Sequence, residues 1–145
     1  MTTIDDLVAI EEIRTLTAVY ARGLDRFDIT SVMQVFSDDA VFDASPCGMD
    51  ACVGKAAVEE FFVHNQSVMA DQIHLYGNFV IELDGPTSAH GTSSLWQDGH
   101  LKDGTRVHSV VFNEDTYTNR DGSWFISRRV CTPLLPLEGN DAYTE

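Results

Sequence analysis

Three of the four Asp-Gly pairs in this chain constrain it more than anything else in it: Asp84-Gly85, Asp103-Gly104 and Asp121-Gly122. They recur at intervals of 19 residues (103 − 84) and 18 residues (121 − 103), and strand-like runs fill the spaces. Asp-Gly favours the positive backbone angles that tight hairpin turns require. The second half therefore predicts a meander of four long antiparallel strands, at about 72–83, 88–101, 105–120 and 123–131. Val107, Val111 and Tyr117 share one parity in the third of these, as a half-buried strand demands.

The first half has a different period. Ile4, Leu7, Ile10, Ile13, Leu16, Thr17 and Tyr20 recur at three- and four-residue steps, which is one core-facing helical stripe. Gly23 is the expected stop. Asp28 can cap a second short helix through Val32, Val35 and Phe36. Asp38-Asp39 is expected to break it, followed by a short strand over 40–43, a loop over 44–54 and a third helix over about 55–69. Helices first and a long antiparallel sheet afterwards predict an α+β class. A long twisted sheet must bury one face. Three N-terminal helices across a curved antiparallel sheet make a cone with an internal cavity.

With 145 residues, 43% hydrophobic and 10% aromatic, the chain suits a single domain spanning 1–145. Its formal net charge of −14 disfavours nucleic-acid and anionic-membrane roles. Much of the acid lies at expected loops and ends (Asp5, Asp6, Asp38, Asp39, Asp141, Glu145), where it reads as a solvated surface. Cys47, Cys52 and Cys131 are an odd count without a disulfide framework, and Cys47-x4-Cys52 lacks the second half of a zinc site. There is no signal peptide, no apolar run of membrane-spanning length, no glycine-rich phosphate loop and no Gly-x-Ser-x-Gly elbow. The expectation is a soluble cytoplasmic protein with no metal and no cofactor. His90, His100 and His108 show no metal-ligand spacing and read as surface or wall residues.

His74 stands apart. It lies in Ile73-His74-Leu75-Tyr76-Gly77-Asn78-Phe79-Val80-Ile81, a mostly apolar strand. Imidazole titrates near neutral pH, so a buried one is either tied down structurally or used chemically. The opening helix ends in Tyr20-Ala21-Arg22-Gly23-Leu24-Asp25, which carries a phenol and a carboxylate toward the core. If Asp25 meets His74, the carboxylate fixes the tautomer and steadies the imidazolium, and the pair is a general acid/base. The plain alternatives are a core histidine on a backbone carbonyl, a capping aspartate and a packed tyrosine. Trp96, Phe79, Phe112 and Trp124 line the cavity or fill the core. Of Arg128 and Arg129, one points inward, with an ion pair as its default role.

Five motifs in order add to this: Ile13-Arg14-x-Leu16-x3-Tyr20-x4-Asp25, Phe36-Ser37-Asp38-Asp39-Ala40-Val41-Phe42, Gly54-Lys55-x2-Val58-x2-Phe61, Ile73-His74-x2-Gly77-Asn78 and Tyr117-x3-Asp121-Gly122-x-Trp124-x-Ile126-x2-Arg129. Their order and spacing resemble the SnoaL-like branch of the nuclear-transport-factor-like superfamily over essentially the whole chain. Within it the pattern is similar to the elimination enzymes: scytalone dehydratase, bile acid 7-alpha-dehydratase and hexachlorocyclohexane dehydrochlorinase.

That resemblance implies an Asp–His dyad at Asp25 and His74 and a substrate-facing tyrosine at Tyr20. It also implies anion support at Arg129. The dehydrochlorinase has a lysine where this chain has Tyr20, which favours loss of water over loss of chloride. Scytalone dehydratase adds a second cavity histidine on the next strand, and Asp98 or His100 lies in that region here. The expectation is a cofactor-independent lyase acting on a small hydrophobic cyclic or carbonyl-bearing substrate. His74, Asp25, Tyr20 and Arg129 would be catalytic, and Trp96, Asp98 and Phe112 substrate-binding. Isomerisation and polyketide cyclisation are rivals within the fold, and a non-catalytic binding or scaffold subunit is the rival outside enzymology. The sheet's outer face needs cover, which points to a homo-oligomer. The relatives imply a trimer, and other branches a dimer.

Overall fold

The computed structural model describes residues 1–139; Asp141 and Glu145, two of the acidic residues expected at chain ends, lie outside that range. Helix α1 (Ile4–Asp25) opens on a capping box in which the Thr3 hydroxyl accepts from the Asp6 backbone and the Asp6 carboxylate accepts from the Thr3 backbone. It runs through Gly23, the expected stop, to Asp25. A Cβ at Gly23 would stand 2.8 Å from Val32 Cγ2 and 3.0 Å from the Val32 nitrogen. Gly23 is thus a seat for the next helix, a tertiary role that helix-ending statistics do not contain.

Helix α2 (Ile29–Gln34) is capped as expected, with the Ser31 backbone donating to Asp28 Oδ1 at 3.2 Å. Strand β1 (Phe36–Asp43) begins four residues before the sequence reading placed it, and Asp38-Asp39 lies within it. Both carboxylates are exposed there, and Arg120 donates to both oxygens of Asp39 at 2.9 Å. A 3-10 turn (Ser45–Cys47), strand β2 (Cys52–Val53) and helix α3 (Lys55–Val68) follow.

The meander is present as β3 (Met69–Leu83), β4 (Ser88–Leu101), β5 (Arg106–Arg120) and β6 (Ser123–Pro133). Of the three Asp-Gly turns, Asp121-Gly122 has positive φ at both residues, 55° and 87°, as a two-residue hairpin turn requires. The sheet is six-stranded in the order β2-β1-β6-β5-β4-β3. It is mixed, because β1 joins β6 in parallel while the other pairs are antiparallel.

Alternation decides the faces. On β5, Val107, Val111, Asn113, Asp115 and Tyr117 are buried beneath the helices, and on β4 so are Ala89, Ser93, Leu95, Gln97 and Leu101. The opposite face leaves Ile73, Leu75 and Trp96 exposed. The helices close the inner face with an aromatic cluster in which Phe62 packs on Tyr20, Phe36, Phe42 and Phe61. No helix among the described residues is long and apolar enough to cross a membrane.

Candidate active site

Asp25 is the last residue of α1, and His74 lies on β3, which packs along that helix. The Nδ1–H of His74 donates to Asp25 Oδ1 at 2.7 Å. Their side chains are 9% and 25% exposed, so the imidazole is enclosed while the carboxylate reaches water. A neighbouring tie holds this geometry. Gln72, two residues before His74 and on the same face, donates to the Leu24 carbonyl at 2.7 Å and to Asn65 Oδ1 at 3.1 Å. That bond fixes the end of α1 against β3 one residue before Asp25.

The imidazole ring separates two spaces. On one side is an internal cavity of ≈ 80 Å³ beneath the helices. Its walls are mostly apolar (Leu24, Phe42, Phe61, Phe62, Leu95, Val111), with Tyr20, Tyr76, Gln97 and Ser109 as polar points. On the other side is a groove between α1 and β3 lined by Arg14, Ala18, Asp25 and Phe79. With Nδ1–H engaged by Asp25, the ring's lone pair lies on Nε2, the nitrogen left for the cavity.

Tyr20 lines the cavity, as expected, beside Tyr76, whose ring centroid lies 6.1 Å from its own. Burial holds both phenols well above their ordinary pKa, so both remain neutral donors. Cys47 and Cys131 also line the space, and burial pushes both thiols up, which makes them apolar lining and not thiolates.

Arg129 corrects the expectation of anion support. It faces inward but is sealed behind the tyrosines at 0% exposure. Its Nε and Nη2 donate to the two Asp115 oxygens at 2.8 Å each, and Nη2 also donates to Thr17 Oγ1 at 2.8 Å. The guanidinium packs 4.9 Å from the Tyr20 ring centroid and 5.3 Å from that of Tyr76, so two rings stand between it and the cavity.

The three substrate-binding candidates are displaced for one common reason. Trp96, Asp98 and Phe112 have the wrong parity and lie on the outer face. Trp96 packs edge-on to His108, and Asp98 accepts two hydrogen bonds from Arg106. Their inward neighbours Leu95, Gln97 and Val111 line the cavity instead. Gln97 pairs directly opposite His74 across the β3–β4 ladder, where the resemblance had suggested Asp98 or His100. Phe79 lies against Arg14 at the groove, and Trp124 is buried in the core.

With this geometry in hand, a model of the SnoaL-like domain matches residues 5–130. The chain belongs to the SnoaL-like domain family. Among curated proteins none matches it.

Solved structures do resemble this SnoaL-like protein. A Novosphingobium aromaticivorans protein provisionally named an aromatic ring hydroxylase is 29% identical, covers 100% of both chains and superposes with a TM-score of 0.89. A protein of the same organism provisionally named scytalone dehydratase is 19% identical over 90% of this chain and 87% of its own, with a TM-score of 0.83. Hexachlorocyclohexane dehydrochlorinase type 3 of Novosphingobium barchaimii is 18% identical over 95% of each chain, with a TM-score of 0.82. At those last two identities the likeness is one of fold.

Proposed function

We propose that this protein is a cofactor-independent lyase that eliminates water from a small hydrophobic cyclic or carbonyl-bearing substrate. The observation that carries this is the 2.7 Å Asp25–His74 contact on a ring that walls an apolar cavity. Membership of the SnoaL-like family, and a fold shared with a dehydrochlorinase and a provisionally named dehydratase, support the same reading.

Nε2 of His74 removes a carbon-bound proton, and the C–H electron pair becomes the new double bond. The C–O bond on the adjacent carbon breaks, and the departing hydroxide takes the proton back from the imidazolium as water. Asp25 fixes the tautomer and stabilises the imidazolium between the two events. Tyr20 and Tyr76 would steady the departing oxygen, and the apolar walls would exclude competing water.

The test is a panel of hydroxy-ketones and hydroxylated alicyclic compounds assayed with the native protein and two variants. His74→Ala should lower turnover about 10²–10⁴-fold, and Asp25→Asn should lower it without loss of fold. Products should have lost the elements of water, which separates elimination from isomerisation or cyclisation. Unchanged turnover in both variants would falsify the proposal.

A second reading is a non-catalytic binding or scaffold subunit of the same fold. Under it, the dyad variants would be silent in every assay and Leu95→Trp, which fills the cavity, would be silent as well.

A further inference from the structure

We propose that Gln97 is the site's oxygen-binding group, and that the substrate carries a neutral carbonyl on the carbon next to the one His74 deprotonates. This deepens the lyase reading and rests on it for the order of events, but the binding it asserts can be tested alone.

Gln97 is 4% exposed and lines the cavity. The hydroxyl of Ser109 donates to its Oε1 at 2.8 Å, which orients the amide. Its Nε2 has no hydrogen-bond partner among the described residues. An amide N–H₂ buried without a partner costs stability that folding alone does not repay, so such a group at a cavity wall fits a role in binding. The orientation also agrees with its neighbour. Nε2 of His74 presents a lone pair, and a donor opposite it is complementary where the Gln97 carbonyl would not be.

Register supplies the placement. His74 and Gln97 are direct cross-strand partners. Inward-facing partners have Cβ atoms about 4.5–5.5 Å apart. A carbonyl oxygen and the hydrogen on the adjacent carbon lie closer together than that, and both side chains line the one cavity, so one small molecule can meet both groups.

The chemistry follows with its electrons balanced. His74 takes the proton from the carbon beside the carbonyl, and the pair left behind makes an enolate whose charge rests on oxygen, where the Gln97 N–H donates. The enolate collapses to C=O, a C=C bond forms and the C–O bond one carbon further on breaks. The leaving hydroxide recovers the proton from the imidazolium as water. Because Gln97 does not titrate, His74 and Asp25 handle every proton. A neutral donor also selects ketones, aldehydes or esters over carboxylates, since the nearby buried cation, Arg129, is engaged by Asp115.

Cyclohexanone and methylenecyclohexane differ chiefly in C=O against C=CH₂, and both are measurable by NMR titration and calorimetry. In the Gln97→Met protein, cyclohexanone affinity should fall about tenfold while methylenecyclohexane affinity does not fall. The infrared carbonyl stretch of bound cyclohexanone should lie below its value in hydrocarbon in the native protein and revert in Gln97→Met. Retained methylenecyclohexane binding certifies an intact cavity in that variant. The same pair measured in His74→Ala should keep the ketone preference, so failure of the lyase mechanism and failure of this assignment are distinguishable. An equal fall for both ligands, a fall for neither, or no ketone binding by the native protein each overturns the proposal.

Discussion

The protein holds two nitrogen–carboxylate pairs of nearly equal length, and they are built in opposite ways. Asp25 meets His74 at 2.7 Å, and Asp115 meets Arg129 at 2.8 Å. Arg129 and Asp115 are at 0% side-chain exposure. Thr17 and Tyr117 fill further valences of that pair, and two phenol rings cover the guanidinium. His74 and Asp25 stop short of that closure. One ring nitrogen is engaged, the residue lines a cavity, and the carboxylate is a quarter exposed. A pair bonded through two nitrogens and sealed from water, even with Arg129 Nη1 left without a partner among the described residues, serves the fold. A pair with one valence open toward a cavity can transfer a proton.

The sharpest way to break this contrast is to remove Arg129. Arg129→Met strands the Asp115 carboxylate in the core and should cost about 3–5 kcal/mol. For a chain of this size that is a fall of about 10 °C or more in Tm, readable by calorimetry. Arg129→Met combined with Asp115→Leu should recover much of the loss, since removing both charges of a buried pair is far cheaper than removing one. His74→Ala, by contrast, should move stability by about 1 kcal/mol while turnover falls by orders of magnitude. If His74→Ala destabilises as strongly as Arg129→Met, the two pairs are of one kind and the assignment of chemistry to the first fails.

Which of these pairs could be read from sequence follows from how far each signal reaches along the chain. The Asp-Gly spacing delivered the meander, because hairpin turns are local; strands expected at 88–101 and 105–120 are observed at Ser88–Leu101 and Arg106–Arg120. The family motifs brought out Asp25 and His74, and these two do meet. Parity across bulges did not come through. The register shift between Gly77 and Val80 breaks the count from the β3–β4 turn back to His74 and its partner. Asp98 and His100 were therefore considered where Gln97 stands. A signal for Gln97 existed within β4 itself: Ala89, Gly91, Ser93, Leu95, Gln97 and Gly99 are small, apolar or neutral, while His90, Asp98 and His100 occupy the other parity. On β6 the shift opposite Thr116 and Tyr117 puts Ile126 and Arg129 on the same inner face, three residues apart, which simple alternation forbids. That Arg129 faces inward and yet misses the cavity is a matter of which rings lie in front of it, and no local pattern encodes that.

Gly23 offers a smaller test on the Asp25–His74 side of the contrast. Gly→Ala within a helix ordinarily gains up to about 1 kcal/mol. Here the new methyl would press on the Val32 backbone nitrogen and Cγ2, and on the Asp28 carbonyl 3.1 Å away, so α2 must shift. The expected net effect of Gly23→Ala is a loss of about 1–3 kcal/mol on denaturant unfolding. Asp25 is two residues further along the same helix, so kcat should fall more than the stability loss alone accounts for. A stabilised Gly23→Ala protein with full activity would show that α2 yields freely and does not help position the carboxylate.

The smallest expected effect comes from histidines that copy the dyad's geometry without its surroundings. His90 Nδ1 meets Asp84 Oδ2 at 2.8 Å and its Nε2 meets Glu82 Oε2 at 3.1 Å, and His100 meets Asp71 at 2.9 Å, all of them exposed. The hydrogen bond to Asp84 leads in raising the His90 pKa above its ordinary 6.5. A raised histidine pKa stabilises the fold below the ordinary value, and the contribution fades as pH climbs through the folded-state value. An NMR titration of His90 should therefore show its midpoint above 6.5. His90→Gln should remove a slight acid-side stabilisation of the β3–β4 hairpin and leave turnover untouched, because both nitrogens of that exposed ring already meet carboxylates and neither faces a cavity-bound molecule. Loss of activity in His90→Gln would mean that a carboxylate contact alone confers function on an imidazole in this protein. Retention would assign the difference between His74 and His90 to the cavity, since their bonds to aspartate differ by only a tenth of an ångström.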